Sequence, residues 1–220
     1  MMTINNWKDV TLGTHIELYK ISNNAFDSEE DKRFKTAAFL NGITYEELLN
    51  QPLTATTEMM ASTAFLYEKP KPVKIKKEYN LNGRIYCPFR NASEMTTAAY
   101  IDYQYTITQN FEEHLIDLMS IILVPKGHIY NDGYDLQQAK EDIQTLSVVE
   151  ALGLADFFLN QYRRSLRRTL LYSKAEMWLA IRKMPKDLRP QAKEKAKEFN
   201  EQVDKLLTMS GSLSLKQLLK

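Results

Sequence analysis

SVVEALGLADFFLNQYRRSLRR, residues 147–168, decides the fold class of this chain. Its apolar side chains Val148, Leu152, Ala155, Leu159, Tyr162 and Leu166 recur in alternating steps of four and three. That spacing marks one buried stripe along an α-helix, or a helix–helix seam. Ser147 and Glu150 stand as a capping box, so the helix is predicted to open there. Arg163, Arg164, Arg167 and Arg168 cover about 140° of the same helix, roughly opposite the stripe. The helix is therefore apolar on one side and strongly cationic on the other.

Helix signals dominate towards the N-terminus. Ser28 precedes Glu29, Glu30 and Asp31, the acids of a first turn, and Asn41-Gly42 closes that helix. Thr44 with Glu47 is a capping box for a short helix stopped by Pro52. A further helix is predicted from Thr54 to Tyr67, ended by Pro70-Lys71-Pro72. The period then changes to two. Val73, Ile75, Lys77 and Tyr79 alternate with Lys74, Lys76 and Glu78, Asn82-Gly83 is a hairpin turn, and Ile85, Cys87 and Phe89 return on one side. Pro88 belongs at an edge or at the end of the strand. Helical patterning resumes over Glu94–Thr108 and Phe111–Val124, and Asp135 caps a helix through Gln144.

Beyond the arginines, Ala192, Ala196, Phe199, Val203 and Leu206 repeat the four–three spacing, with Glu201 and Lys205 as an i, i+4 pair. Pro185 and Pro190 bracket a linker before this second amphipathic helix. Ser210-Gly211-Ser212 reads as a joint to a short apolar end carrying Leu213, Leu215, Leu218 and Leu219. Residues 161–220 hold 15 Lys+Arg against 6 Asp+Glu, a net of +9. Taken from totals of 29 and 28, that leaves 14 against 22 over residues 1–160, a net of −8. The overall +1 hides an acidic body joined to a basic quarter.

The cationic helix face has two readings. One is an ordinary solvated surface. The other is an anion-facing surface, for acidic protein (another copy of the chain included) or for nucleic-acid phosphate. Tyr162, Tyr172 and Trp178 fall at core-like positions rather than interleaving with the arginines, which argues against single-strand recognition.

Nothing in the sequence specifies a reaction. His15, His114 and His128 are far apart without metal-ligand spacing, so no metal is expected. The lone Cys87 reads as a small core residue and excludes an intrachain disulfide, which fits a reducing compartment. Lys126-Gly127-His128 lacks the flanking residues of a P-loop. Asn131-Asp132-Gly133 fails as a calcium loop because Ala139 falls where the bidentate glutamate belongs. Glu112, Glu113 and Asp117 read as surface acids. No catalytic residue and no cofactor is expected, and no run is long and apolar enough to span a membrane. The N-terminal residues show no secretory pattern.

Several stretches resemble small proteins encoded among the tail-assembly genes of tailed bacteriophages. They are Trp7-Lys8-Asp9-Val10-Thr11-Leu12-Gly13, the run Asp31–Leu40, Ile43-Thr44-Tyr45-Glu46-Glu47-Leu48 with Pro52, Tyr100-Ile101-Asp102-Tyr103-Gln104, Ile121 to His128, Tyr130 to Asp135, and Phe157-Phe158-Leu159. Together they cover most of residues 7–160. The resemblance implies a non-enzymatic assembly protein, a chaperone for the tape-measure protein, with no catalytic residues to carry over. The alternative is a virion component of the head–tail ring or connector whose basic C-terminal helices meet nucleic acid. Either is expected in the host cytoplasm during assembly, or in the virion. The partners implied are tail or connector proteins and a second copy, with nucleic acid as second choice.

The expected fold is mostly α, a bundle-like helical domain with one β-hairpin at about 73–89 and a basic helical C-terminal extension. The expected sections are 1–70, helical; 71–160, hairpin plus helical core; and 161–220, basic and helical.

Overall fold

A computed structural model describes residues 4–109 and 113–212, apart from the side chains of 203–212. The chain is mostly α with a small antiparallel sheet. It divides into two units, Met1–Ala155 and Asp156–Lys220, and the division falls inside one long helix.

The first unit opens with α1 (Leu12–Ser22), α2 (Glu29–Leu40), α3 (Tyr45–Leu49) and α4 (Leu53–Ser62), the last continued by a 3-10 turn at Ala64–Tyr67. The local signals act as expected. The Ser28 hydroxyl accepts from the Asp31 amide, and Thr44 and Glu47 close a reciprocal capping box. Gly42 takes φ 65°, a conformation glycine adopts without a Cβ penalty. α2 packs on both α3 and α4.

The hairpin forms, in shorter bounds. β1 (Tyr79–Leu81) pairs with β2 (Arg84–Pro88) through Tyr79↔Tyr86 and Leu81↔Arg84. Asn82 and Gly83, at φ 51° and 82°, make the turn whose twist suits a two-residue hairpin. Residues 73–76 keep the predicted alternation of burial, Lys77 is exposed where an inward position was expected, and the segment joins no ladder among the described residues. Their groups are committed elsewhere: the Val73 amide donates to the Val149 carbonyl, and Lys76 pairs with Glu150. Ile85 lies exposed while Tyr86 turns inward and is buried.

The helix expected over 111–124 divides. α5 spans Thr97–Thr106 and α6 spans Leu115–Ile122; Leu123–Pro125 then becomes β3, paired with β2 through Cys87↔Val124. Ser120 to Val124 are all buried. A continuous apolar run of this kind has no period that separates helix from strand. α7 (Leu136–Ile143) is capped by Asp135, whose carboxylate accepts from the amides of Gln137 and Gln138. The core gathers around Leu115, Leu118, Met119, Ile122, Ile143, Leu146 and Leu152, all buried.

The decisive helix is α8, Val148–Lys183. Its predicted stripe is buried from Val148 to Leu159 and half-buried at Tyr162 and Leu166. The expected capping box at its start does not form. The Ser147 hydroxyl donates to the Lys8 carbonyl at 3.0 Å, and the Glu150 carboxylate takes Lys76. Gly153 lies where a Cβ would stand 2.4 Å from the Val73 carbonyl oxygen, so only glycine lets that strand of chain cross the helix so closely.

In the second unit a short turn leads from α8 into α9 (Arg189–Ser212), with Pro190 in its first turn, where the missing N–H costs nothing. Arg189 reaches back to cap the end of α8, donating to the carbonyls of Met184 and Arg182 at 3.0 and 2.9 Å. Ile181 on α8 and Ala196 on α9 are buried. Ser210-Gly211-Ser212 continues the helix rather than making a joint. The expectations for Glu112, for Val203, Leu206 and the Glu201–Lys205 pair, and for Leu213 to Leu219 lie outside the described residues or side chains.

Candidate interaction surface

The distal part of α8 carries the four arginines singled out in the sequence. Arg164, Arg167 and Arg168 are exposed, and none has an ion-pair partner among the described residues. Arg163 is half-buried; its Nε and Nη2 are sealed from solvent without a hydrogen-bond acceptor. A guanidinium left this way is costly.

The structure adds what the sequence reading missed. Tyr172 and Trp178, expected at core positions, are 63% and 42% exposed. Leu171 and Leu179 are exposed beside them. At 100° per residue, Arg164, Arg167, Arg168, Leu171, Tyr172, Trp178 and Leu179 all fall within one arc of about 140°. Over roughly 22 Å of helix the surface thus passes from cationic at one end to apolar and aromatic at the other. The Tyr172 hydroxyl donates to Glu176 at 2.7 Å, which raises its pKa and keeps it protonated. The clue available in the sequence was a second row of apolar residues at i, i+1, i+7 and i+8 from Leu171, on the arginine side.

Two polar clusters in the first unit were the other places for chemistry. The first centres on Asp142, buried near the end of α7. Its Oδ2 accepts from the Tyr86 hydroxyl at 2.7 Å and from Arg84 Nη1 at 3.0 Å; its Oδ1 accepts from Asn82 Nδ2 at 3.1 Å. Burial alone would raise its pKa, but the donors Tyr86 and Asn82 and the charge of Arg84 prevail and hold it below the usual carboxylate range. Burial and the bond to Asp142 push Tyr86 well above the ordinary phenol value. The buried carboxylate is held on both oxygens by its neighbours, while Arg84 stays half exposed, which makes this a clamp between hairpin and helix.

The second cluster lines a cleft of about 280 Å³ between α5, α6 and α7. Here Asp117 accepts from Lys140 at 2.7 Å and sits 3.1 Å from His114, while Tyr130 donates to Asp102 at 3.0 Å. Burial opposes ionisation of Asp117, and Lys140 and His114 outweigh it, so its pKa is lowered. Of the other two histidines, His15 meets Trp7 edge-on and His128 meets Tyr134 edge-on. Cys87 is half-buried, and burial raises its thiol pKa, the opposite of an activated nucleophile. Among the described residues no group of three His, Cys, Asp or Glu is placed to hold a metal ion, and no helix is long and apolar enough to cross a membrane.

No family model, no curated protein and no solved structure matches the chain.

Proposed function

We propose that the chain is a non-enzymatic assembly protein that acts through protein–protein contacts, in the setting of tailed-bacteriophage tail assembly. The observation that carries the reading is the exposed strip on α8, where Arg164, Arg167 and Arg168, without an ion-pair partner among the described residues, run into Leu171, Tyr172, Trp178 and Leu179. Aromatic and arginine side chains side by side are the residues that anchor protein interfaces. The phage setting rests on the resemblance over residues 7–160. Within it, a chaperone for the tape-measure protein is the first role and a structural subunit of the particle the second.

Co-expression with tail and connector proteins tests this. The expected result is a defined complex, or a tape-measure protein kept soluble only when the chain is present. A chain that remains strictly monomeric and retains no tail or connector protein in a pull-down from infected cells overturns the reading. Presence in purified virions identifies a subunit; absence from virions with abundance in infected cells identifies a transient chaperone.

Duplex nucleic acid is the second reading, and the exposed row of Arg164, Arg167 and Arg168 on one side of α8 favours it, because cations spaced along a helix can contact backbone phosphates. The expected signature is affinity whose logarithm falls linearly with log salt, with a shallower slope after arginine-to-alanine changes. Absence of binding at low salt overturns it.

A further inference from the structure

We propose that the α8 strip docks on the α3–α4 face of a second copy of this chain, head to tail; α2, with Glu29, Glu30 and Asp31 against Lys32, Arg33 and Lys35, is neutral and stands outside that face. The inference rests on the assembly reading above and names the partner for its surface. Charge complementarity between two segments carries it. Residues 157–175 contain Arg163, Arg164, Arg167, Arg168 and Lys174 and no acid. Residues 36–68 contain Glu46, Glu47, Glu58 and Glu68 and no Lys or Arg. All four of those glutamates are exposed.

The apolar parts match as well. On the acidic side Leu49 and Leu53, at 56% and 82% exposure, stand out from the packed group of α2, α3 and α4. They lie three and seven residues beyond Glu46, so exposed apolar groups follow the acids along one short stretch. On the basic side Leu171 and Trp178 likewise follow Arg167 and Arg168, four and eleven residues beyond Arg167. Each face therefore offers a desolvatable patch beside charges of a dominant sign, and the two signs are opposite; the one acid within the α8 strip, Glu176, accepts from the Tyr172 hydroxyl. A parallel twofold pairing of α8 with α8 would set arginines against arginines, which like-charge repulsion disfavours, and an antiparallel one would set them against the apolar end, where their charge finds no acidic patch. Contact between unlike faces is heterologous. It leaves one free face of each kind at the ends, so growth continues until a ring closes or a filament forms.

The test uses the full chain and sedimentation velocity. At low salt the mass is expected to rise with concentration above the 25.6 kDa of one chain. At about 1 M salt, where the Debye length is about 3 Å, association is expected to weaken at least tenfold. Arg164→Glu/Arg167→Glu/Arg168→Glu and Glu46→Lys/Glu58→Lys are each expected to sediment as monomers with wild-type helicity. Glu47 is left in place because it closes the α3 cap. An equimolar mixture of the two variants is expected to assemble again, because each mismatched face finds its complement on the other chain.

A wild-type chain that is monomeric at every concentration overturns the inference, as does assembly that both variants retain, or a mixture that fails to reassemble. Duplex DNA bound through the same arginines without self-association overturns it in favour of phosphate. In each case the broader assembly reading is decided separately by the co-expression and virion experiments.

Discussion

The Tyr86 hydroxyl and the Asp142 carboxylate meet at 2.7 Å although 56 residues separate them in the chain. With Arg84 and Asn82 on the same carboxylate, this contact ties the hairpin turn to α7. The hairpin itself is too short to be stable alone, so the clamp and β3 are what hold it in place. Asp142→Ala removes a buried acceptor from four donors at once, Gln138 included. Thermal melts are expected to show a loss of about 1–3 kcal/mol, chiefly from the buried Tyr86 hydroxyl left without its acceptor, since the half-exposed Arg84 turns to water. Tyr86→Phe, which deletes one donor and keeps the ring, is expected to cost about 1–2 kcal/mol. Equal stability of wild type and Asp142→Ala would show that the carboxylate does not bear on folding.

Contacts of this range explain which parts of the fold the sequence discloses. Thr44 and Glu47 form their capping box because both partners lie within one turn, and Asn82-Gly83 turns the hairpin for the same reason. Ser147 and Glu150 carry the same local pattern, yet Lys8 and Lys76 claim their side chains from distant parts of the chain. Val73 to Lys77 look like a strand but pair with α8 instead of a neighbour in the sheet. Asp142 reads as one more surface acid on a helix until the hairpin is laid over it. The arginines were legible because helical spacing alone fixes their face. Tyr172 and Trp178 were not, since a periodic apolar row is predicted to be buried. The side of α8 that bears them is nevertheless exposed.

Gly153 makes a sharp test of the crossing between α8 and the segment before the hairpin. A methyl group there would meet the Val73 carbonyl oxygen at 2.4 Å, and that atom belongs to backbone held by its own hydrogen bond to Val149. Gly153→Ala would raise helix propensity by up to about 1 kcal/mol at an unconstrained site. Here the overpacking is expected to prevail, with a net loss of about 1–3 kcal/mol and a Tm lowered by several degrees. A Tm that rises instead would mean the segment yields freely.

Two groups predict separate pH windows for stability. Burial lowers the pKa of His15 from its ordinary 6.5, so the unfolded chain takes up that proton before the folded one does. Stability from this source is present above 6.5 and is lost as pH falls from there through the folded pKa. Asp142, held below its ordinary 3.8, contributes stability above that value and loses it as pH falls further. Melts across the His15 window are expected to show declining Tm in the wild type and a flatter profile in His15→Gln. Identical slopes in the two proteins would exclude His15 as the source.

Trp178 supplies an optical readout of whether the α8 strip becomes covered. The chain has two tryptophans, and Trp7 is already tethered, its indole N–H donating to the Glu68 carbonyl at 2.7 Å and its ring edge-on to Phe65. Trp7→Phe therefore leaves Trp178 as the single reporter on the exposed side of α8. Burial of an indole against a partner moves it from water to an apolar environment. Its emission is expected to shift to the blue when a protein partner covers the strip, and to return when Arg164, Arg167 and Arg168 are reversed in sign. Leu171→Ser in the same background is expected to weaken the shift while changing the stability of the isolated chain by no more than about 0.5 kcal/mol, as for other exposed positions. Emission that stays red in a partner complex of proven stoichiometry would place the contact elsewhere on the molecule.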